Sequence, residues 1–228
     1  MSGDAGQAAD AVLLTVNLGV ERTGWWTYGL GRSGIDKQPV DRRVTAVRDG
    51  LVGDLIVNTK AHGGPDKAVY AFASEDGAFW AKELDREIAP GNFGENLTLR
   101  GVDVTNAEIG ERWRIGTALF EVIRPRKPCR VFAGFWDVPD LVERFIAHGA
   151  PGAYLRVLEE GTVGAGDRVE IVHRPGHRIT VNLMLRAITT EPELFPRMLE
   201  APEMLPKIQE KARRWIAARQ EQKERAEI

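Results

Sequence analysis

The chain has 228 residues, 43% of them hydrophobic and 28% charged, with a formal net charge of −2. That balance suits one moderate globular domain plus a small appendage and argues against a dedicated nucleic-acid binder. A single cysteine excludes an internal disulfide, a four-cysteine zinc site and an iron–sulfur cluster, and leads us to expect a reducing, cytoplasmic setting.

Residues 1–11 (MSGDAGQAADA) are small and acidic, without the basic start or apolar run of a signal peptide, and read as a flexible terminus. No segment approaches the roughly 20 apolar residues of a membrane span. Residues 12–18 (VLLTVNL) open the ordered part as a strand rich in branched apolar side chains. The Gly- and Trp-rich stretch 21–34 has no period and reads as a loop. Short strands are predicted over 43–48, 54–58, 68–73, 96–100, 112–115, 118–124, 154–159 and 168–173, many of them separated by glycine turns. Many short strands with frequent turns predict a mainly β domain over 12–175, a barrel or sandwich.

Two helices interrupt this pattern. Ser74 can cap one whose apolar face is Phe79, Trp80, Leu84 and Ile88; Asp137 can cap another holding Leu141, Val142, Phe145 and Ile146, with Gly149 past its end. Both are expected to plug or flank the β core. Beyond Pro175 the spacing turns helical, and residues 176–228 read as a three-helix segment: 181–189, 193–199 and 203–220. The last carries Leu205, Ile208, Ala212, Trp215 and Ile216 on one stripe. A segment this short packs on the β domain or on a partner chain, and the apolar stripe makes a homodimer an expectation.

Four stretches could carry chemistry. Cys129 lies in Arg124-Pro-Arg-Lys-Pro-Cys-Arg130, where Arg124, Arg126, Lys127 and Arg130 all fall within five residues of the sulfur. Neighbouring cations favour a thiolate, the form that attacks electrophiles or binds soft metals; a buried structural cysteine is the alternative. In His62-Gly63-Gly64-Pro65-Asp66-Lys67, paired glycines can bring backbone N–H groups to an anion, with Lys67 adding charge and His62 a ligand or donor. The same residues also suit a plain turn in which Asp66 bonds its own backbone. Asn92, Phe93, Gly94, Glu95 and Asn96 form a loop that could read the edge of a heterocycle or merely brace itself. Arg32 and Lys37 flank a glycine turn that could equally be a solvated basic loop. Nucleophile-elbow, Walker, zincin and dinucleotide-binding motifs are absent.

In order, SGIDKQPV (33–40), GLVGD (50–54), HGGPDKAVYAF (62–72), PGNFGENL (90–97), RPRKPC (124–129), GAYLRVLEEG (152–161) and GAGDRVEI (164–171) resemble the MOSC family, the domains related to the C-terminal part of molybdenum-cofactor sulfurase. The likeness is to the stand-alone YiiM-type branch, runs from about Leu13 to Val172, and extends through a similar C-terminal three-helix segment. It implies a β-barrel holding a molybdenum–pterin cofactor, with Cys129 as the protein ligand to molybdenum. It also implies an oxidoreductase that reduces N-hydroxylated compounds, including N-hydroxylated purine bases, to amines.

By the same resemblance Lys37, Lys67, Arg124 and Arg126 would hold the cofactor phosphate or neutralise the metal centre. His62, Gly63 and Gly64 would approach the cofactor, with His62 a proton donor. Asn92, Phe93, Gly94, Glu95 and Asn96 would face the pterin, and Arg156 would line the cavity. With no fused iron–sulfur module, an external reductase is the expected electron donor. The segment Trp25-Trp26-Thr27-Tyr28 has no counterpart in the family pattern, and Glu111 stands where Asp is more typical, a change expected to matter only for a turn. Two rival readings remain: a non-redox cofactor or sulfur carrier using Cys129, whose pyridoxal-phosphate-binding desulfurase would sit on another chain, and a non-catalytic small-molecule-binding barrel.

Overall fold

The computed structural model describes residues 11–226, so the terminus expected over 1–11 lies outside the described residues except for Ala11. Eleven strands are present among them: β1 (Val12–Gly19), β2 (Lys37–Pro39), β3 (Val44–Val47), β4 (Gly50–Leu51), β5 (Val69–Ala73), β6 (Leu97–Arg100), β7 (Arg112–Ile115), β8 (Ala118–Pro125), β9 (Ala153–Glu159), β10 (Gly161–Val163) and β11 (Val169–His173). Eight form one mixed sheet in the order β11-β7-β8-β9-β5-β6-β1-β2, in which only β5 and β6 run parallel; β10, β3 and β4 form a second, small sheet.

The expected barrel does not close. The edge of β1 facing away from β6 is occupied by β2 over Asn17–Gly19, and only the start of β1 reaches β11. There Val12 bridges Arg168, Leu13 N donates to Asp167 O at 2.9 Å, and Val169 N donates to Ala11 O at 2.9 Å. The two flanks thus touch along a short seam and the sheet stays open.

Five short α-helices and one longer one surround or extend the sheet: α1 (Thr59–His62), α2 (Ser74–Leu84), α3 (Arg130–Trp136), α4 (Leu141–His148) and α5 (Val181–Thr189), then, after a 3-10 stretch, Pro192–Glu200, the long α6 (Pro206–Ala226). The chain departs from its sequence pattern at particular points. Residues 54–58, predicted as a strand, are irregular, because Asp54 is held by the Gly19 N–H at 2.7 Å and by Lys37. Asp137 does not cap the second predicted helix; it closes α3 in a left-handed conformation, and Asp140 precedes α4. Ser74 begins α2 as its first residue instead of capping it. Pro196, lacking an N–H, stands inside the 3-10 stretch that replaces the middle C-terminal helix.

Two apolar clusters fix the arrangement. The larger joins the sheet to the C-terminal segment, burying Leu13, Trp113, Phe120, Met184, Phe195, Met198, Ile208 and Ala212 together. Much of the α6 stripe is therefore covered by this chain itself. The smaller is aromatic: Tyr70, Phe72, Trp80, Phe93, Phe132, Phe145 and Tyr154. Phe93 meets Phe72 edge-on at 5.2 Å and Phe132 at 5.5 Å, and Phe132 meets Phe145 at 5.0 Å. Such pairs add about 0.5–1.5 kcal/mol each beyond their burial, and here they lock α2, α3 and α4 onto β5. The start of α3, and with it Cys129, is thereby fixed.

Glu111 does more than shape a turn. It is buried, accepts from Trp113 Nε1 at 2.8 Å and from Arg174 Nε at 3.3 Å, and burial pushes its carboxyl upward against those bonds. A longer side chain than Asp is what reaches both partners.

Candidate functional site

A cavity of about 290 Å3 opens between α1, the start of α3, the 30s loop and the ends of β5 and β9. That is near the lower end of the roughly 300–1,000 Å3 typical of ligand clefts. Its walls include Lys37, His62, Lys67, Gly94, Asn96, Arg126 and Cys129, brought together from motifs far apart in sequence. Gly63, Gly64, Asn92, Phe93, Glu95, Arg124 and Arg156 are not on that wall.

The loop motif divides in two. Glu95 is buried and turned inward, accepting from Gly91 N at 2.6 Å, Phe93 N at 3.1 Å and Thr98 Oγ1 at 2.9 Å. Burial raises its carboxyl despite these bonds. Asn92 Oδ1 accepts from Ala89 N at 3.0 Å, and Phe93 lies in the aromatic cluster. Asn96 reaches the cavity, but its side chain is already committed, accepting from Tyr70 N at 3.1 Å and donating to Asp54 Oδ2 at 2.9 Å. Gly91 must be glycine: its φ is 89°, and a Cβ would come within 2.2 Å of Lys37 O.

Lys37 is buried and paired with Asp54 at 2.6 Å, so its charge is already offset; burial is the larger influence and lowers its pKa. Gly63 caps α1 through its own N–H to Thr59 O, and Gly64 leads with φ 88° into the short turn Pro65–Lys67. Lys67 Nζ donates to Ala61 O; burial first, then Arg124 and Lys207, lower its pKa. Asp66 does not bond its own backbone but pairs with Arg156 at 2.6 Å, and Arg156 also donates to Glu121 at 2.9 Å. Arg156, on β9, is thus spoken for and does not line the cavity.

Arg126 is different. It is 4% exposed, packs over the Phe132 ring at 4.5 Å, and its Nη1 is buried without a partner. An unsatisfied buried donor costs about 1–3 kcal/mol, more when charged, so a cation left this way on a cavity wall is a ready anion receptor. Cys129 stands beside it, half-buried, at the residue preceding α3.

His62 Nδ1 lies 3.0 Å from Tyr154 Oη. Burial, then Arg126, Lys67 and Lys37, lower the His62 pKa to about 4, so the ring is neutral at pH 7. In the neutral tautomer whose Nδ1 accepts from the Tyr154 hydroxyl, Nε2 carries the proton. Tyr154 and Tyr70 were within quoted motifs, yet nothing in the sequence distinguished them from core aromatics. Thr27, from the stretch without family counterpart, completes the cavity wall together with Leu30 and Arg130.

No described helix is long and apolar enough to cross a membrane. The MOSC domain model matches residues 58–170. The chain is 36% identical over 174 residues to the uncharacterised protein YflK of Bacillus subtilis strain 168, spanning 76% of this chain and 79% of that one. It is 29% identical over 177 residues to a Gibberella moniliformis protein named reductase, covering 75% of this chain but 31% of that one. The crystal structure of YiiM from Geobacillus stearothermophilus superposes with a TM-score of 0.74 at 27% identity, over 90% of this chain and 98% of that one. Matched across its central motifs and along most of its length, the chain belongs to the MOSC domain family.

Proposed function

We propose that the protein holds a molybdenum–pterin cofactor in the 290 Å3 cavity through Cys129 and reduces N-hydroxylated compounds to the corresponding amines. The observation that carries this reading is that the lone thiol and the unpartnered Nη1 of Arg126 belong to the lining of one cavity. A thiolate is a soft ligand suited to molybdenum, and an arginine with a donor to spare suits phosphate. When bound, the cofactor supplies two-electron oxygen-atom chemistry.

The chain's own groups do the remainder. Arg126 holds the anionic end of the cofactor, with Lys67 and Arg124 adding positive potential at the rim. Lys37, neutralised by Asp54, shapes the wall. His62, neutral and fixed by Tyr154, donates a hydrogen bond from Nε2 to the departing oxygen; it orients that oxygen and is not an ionised acid at pH 7. Reduction of R–NH–OH takes two electrons and two protons and releases R–NH2 and water. A separate reductase delivers the electrons, and solvent supplies the protons.

The test is molybdenum content of anaerobically purified protein, wild type beside Cys129→Ser, followed by assay of a reduced, loaded sample on a hydroxylamine derivative. Near-stoichiometric metal in the wild type only, with amine formed, supports the proposal. Metal without amine turns the reading to a cofactor carrier; no metal in either protein overturns it.

A further inference from the structure

Beside the first cavity lies a second, of about 470 Å3, walled by Trp25, Tyr28, Arg130, Ala133, Gly134, Asp137, Val138, Pro139, Val142 and Glu143. Arg130 lines both cavities and partitions them. Neither the MOSC-like motifs nor the cofactor reading uses this space.

Its chemistry is specific. Trp25 is 68% exposed and Tyr28 40%, large aromatic surface that folding alone would bury. They meet edge-on at 6.3 Å, and Tyr28 lies under the Arg130 guanidinium at 4.4 Å. The backbone holds them there at a cost: Tyr28 sits at φ 52°, ψ −136°, strained for a residue with a side chain. Trp26 anchors the stretch by packing on Phe135 at 5.2 Å, and its Cβ lies 2.7 Å from where a Gly134 Cβ would stand, so only glycine permits the contact. The same cavity is lined by Asp137 and Glu143, which form no ion pair among the described residues, and by the apolar Ala133, Val138 and Val142.

We infer that this second cavity is a binding site for a planar aromatic cation, such as an aryl amidinium, its ring against Trp25 and its charge toward Asp137 and Glu143. An exposed indole face attracts cations and stacks on rings, and two carboxylates against one arginine leave a net negative wall. A ligand seated there lies against Arg130, the partition beside Cys129. The site does not depend on the cofactor reading, since it is complete without any group in the first cavity.

The experiment is a fluorescence titration of the purified full chain with p-aminobenzamidine, whose emission rises in an apolar site. The expected result is saturable binding, weakened about tenfold in Trp25→Ala and about threefold to tenfold in Glu143→Gln, as loss of one cation–π or one charge contact would give. Trp25→Phe retains binding, which separates loss of the ring from loss of the fold. Neutral p-aminobenzamide binds more weakly, and added salt weakens the cation further. Absence of saturable binding overturns the inference. So does binding indifferent to Trp25→Ala and Glu143→Gln, binding abolished by Cys129→Ser instead, or equal binding of the neutral amide.

Discussion

The back of the first cavity and its front use the same kinds of side chain to opposite ends. Behind it, Asn17, Lys37, Asp54, Glu95, Asn96 and Thr98 form a buried network in which nearly every polar atom is partnered; Asn17 Oδ1 is the exception. In front, Arg126 keeps a free donor, Arg130 rests on an aromatic ring, and His62 has one nitrogen committed. A satisfied polar group rigidifies; one held short of partners is available to a ligand. Residue type and motif do not separate the two, but valence does.

That contrast is open to attack. The largest effect is expected at the back: Asp54→Ala strands the Lys37 ammonium in a site where its pair is only 3–6% exposed. Removing one partner of a buried pair costs about 3–5 kcal/mol, readable by urea denaturation, and a loss below about 1 kcal/mol would mean the network is not a scaffold. In front, Arg126→Ala should change stability by only about 1 kcal/mol, since relief of the unpartnered Nη1 offsets the lost contacts with Phe132 and Tyr154. It should nevertheless weaken retention of a phosphate-bearing cofactor at least about tenfold. Equal losses in both readouts would erase the distinction between back and front.

His62 tests the boundary through pH. Its folded pKa of about 4 lies below the ordinary value of 6.5. As pH falls from about 6.5 to about 4, the unfolded chain therefore takes up a proton that the folded chain refuses, and stability declines across that window. His62→Gln should flatten that stretch of the stability–pH curve; an unchanged slope would assign it to other groups. The smallest effect belongs to Asn92→Ala, which frees the Ala89 N–H and should cost about 1 kcal/mol of stability. Weaker cofactor retention with unaltered stability would return Asn92 to the ligand side.

How far the sequence could go follows from the same distinction. Strand positions and glycine turns were legible because alternation and φ preferences are local, and residues 68–73, 112–115 and 118–124 fall on β5, β7 and β8. The irregular path of 54–58 was not legible, since it depends on Asp54 meeting Gly19 and Lys37 across the fold. Nor was α3, a short helix between Cys129 and Asp137 whose burial comes from the aromatic cluster. Motif order brought Cys129, His62, Lys67 and Arg126 to notice as a group, but which of the surrounding polar residues face inward was a tertiary matter. Glu95 and Arg156 carry the same formal chemistry as their neighbours and are consumed by Gly91, Thr98, Asp66 and Glu121.

The short seam between the start of β1 and β11 has a bearing on how the chain is made. Its hydrogen bonds join residues 11–13 to 166–169, so β1 leaves the ribosome well before the partner that completes this seam. Contacts of such long sequence separation form slowly, and until then β1 has only β6 and β2 to hold it. Local opening is expected to begin there: in native-state hydrogen exchange the Leu13 and Val169 amides should lose protection before those of β8 and β9, which lie mid-sheet. The order of synthesis is thus written into the molecule as a latch that fastens last and loosens first.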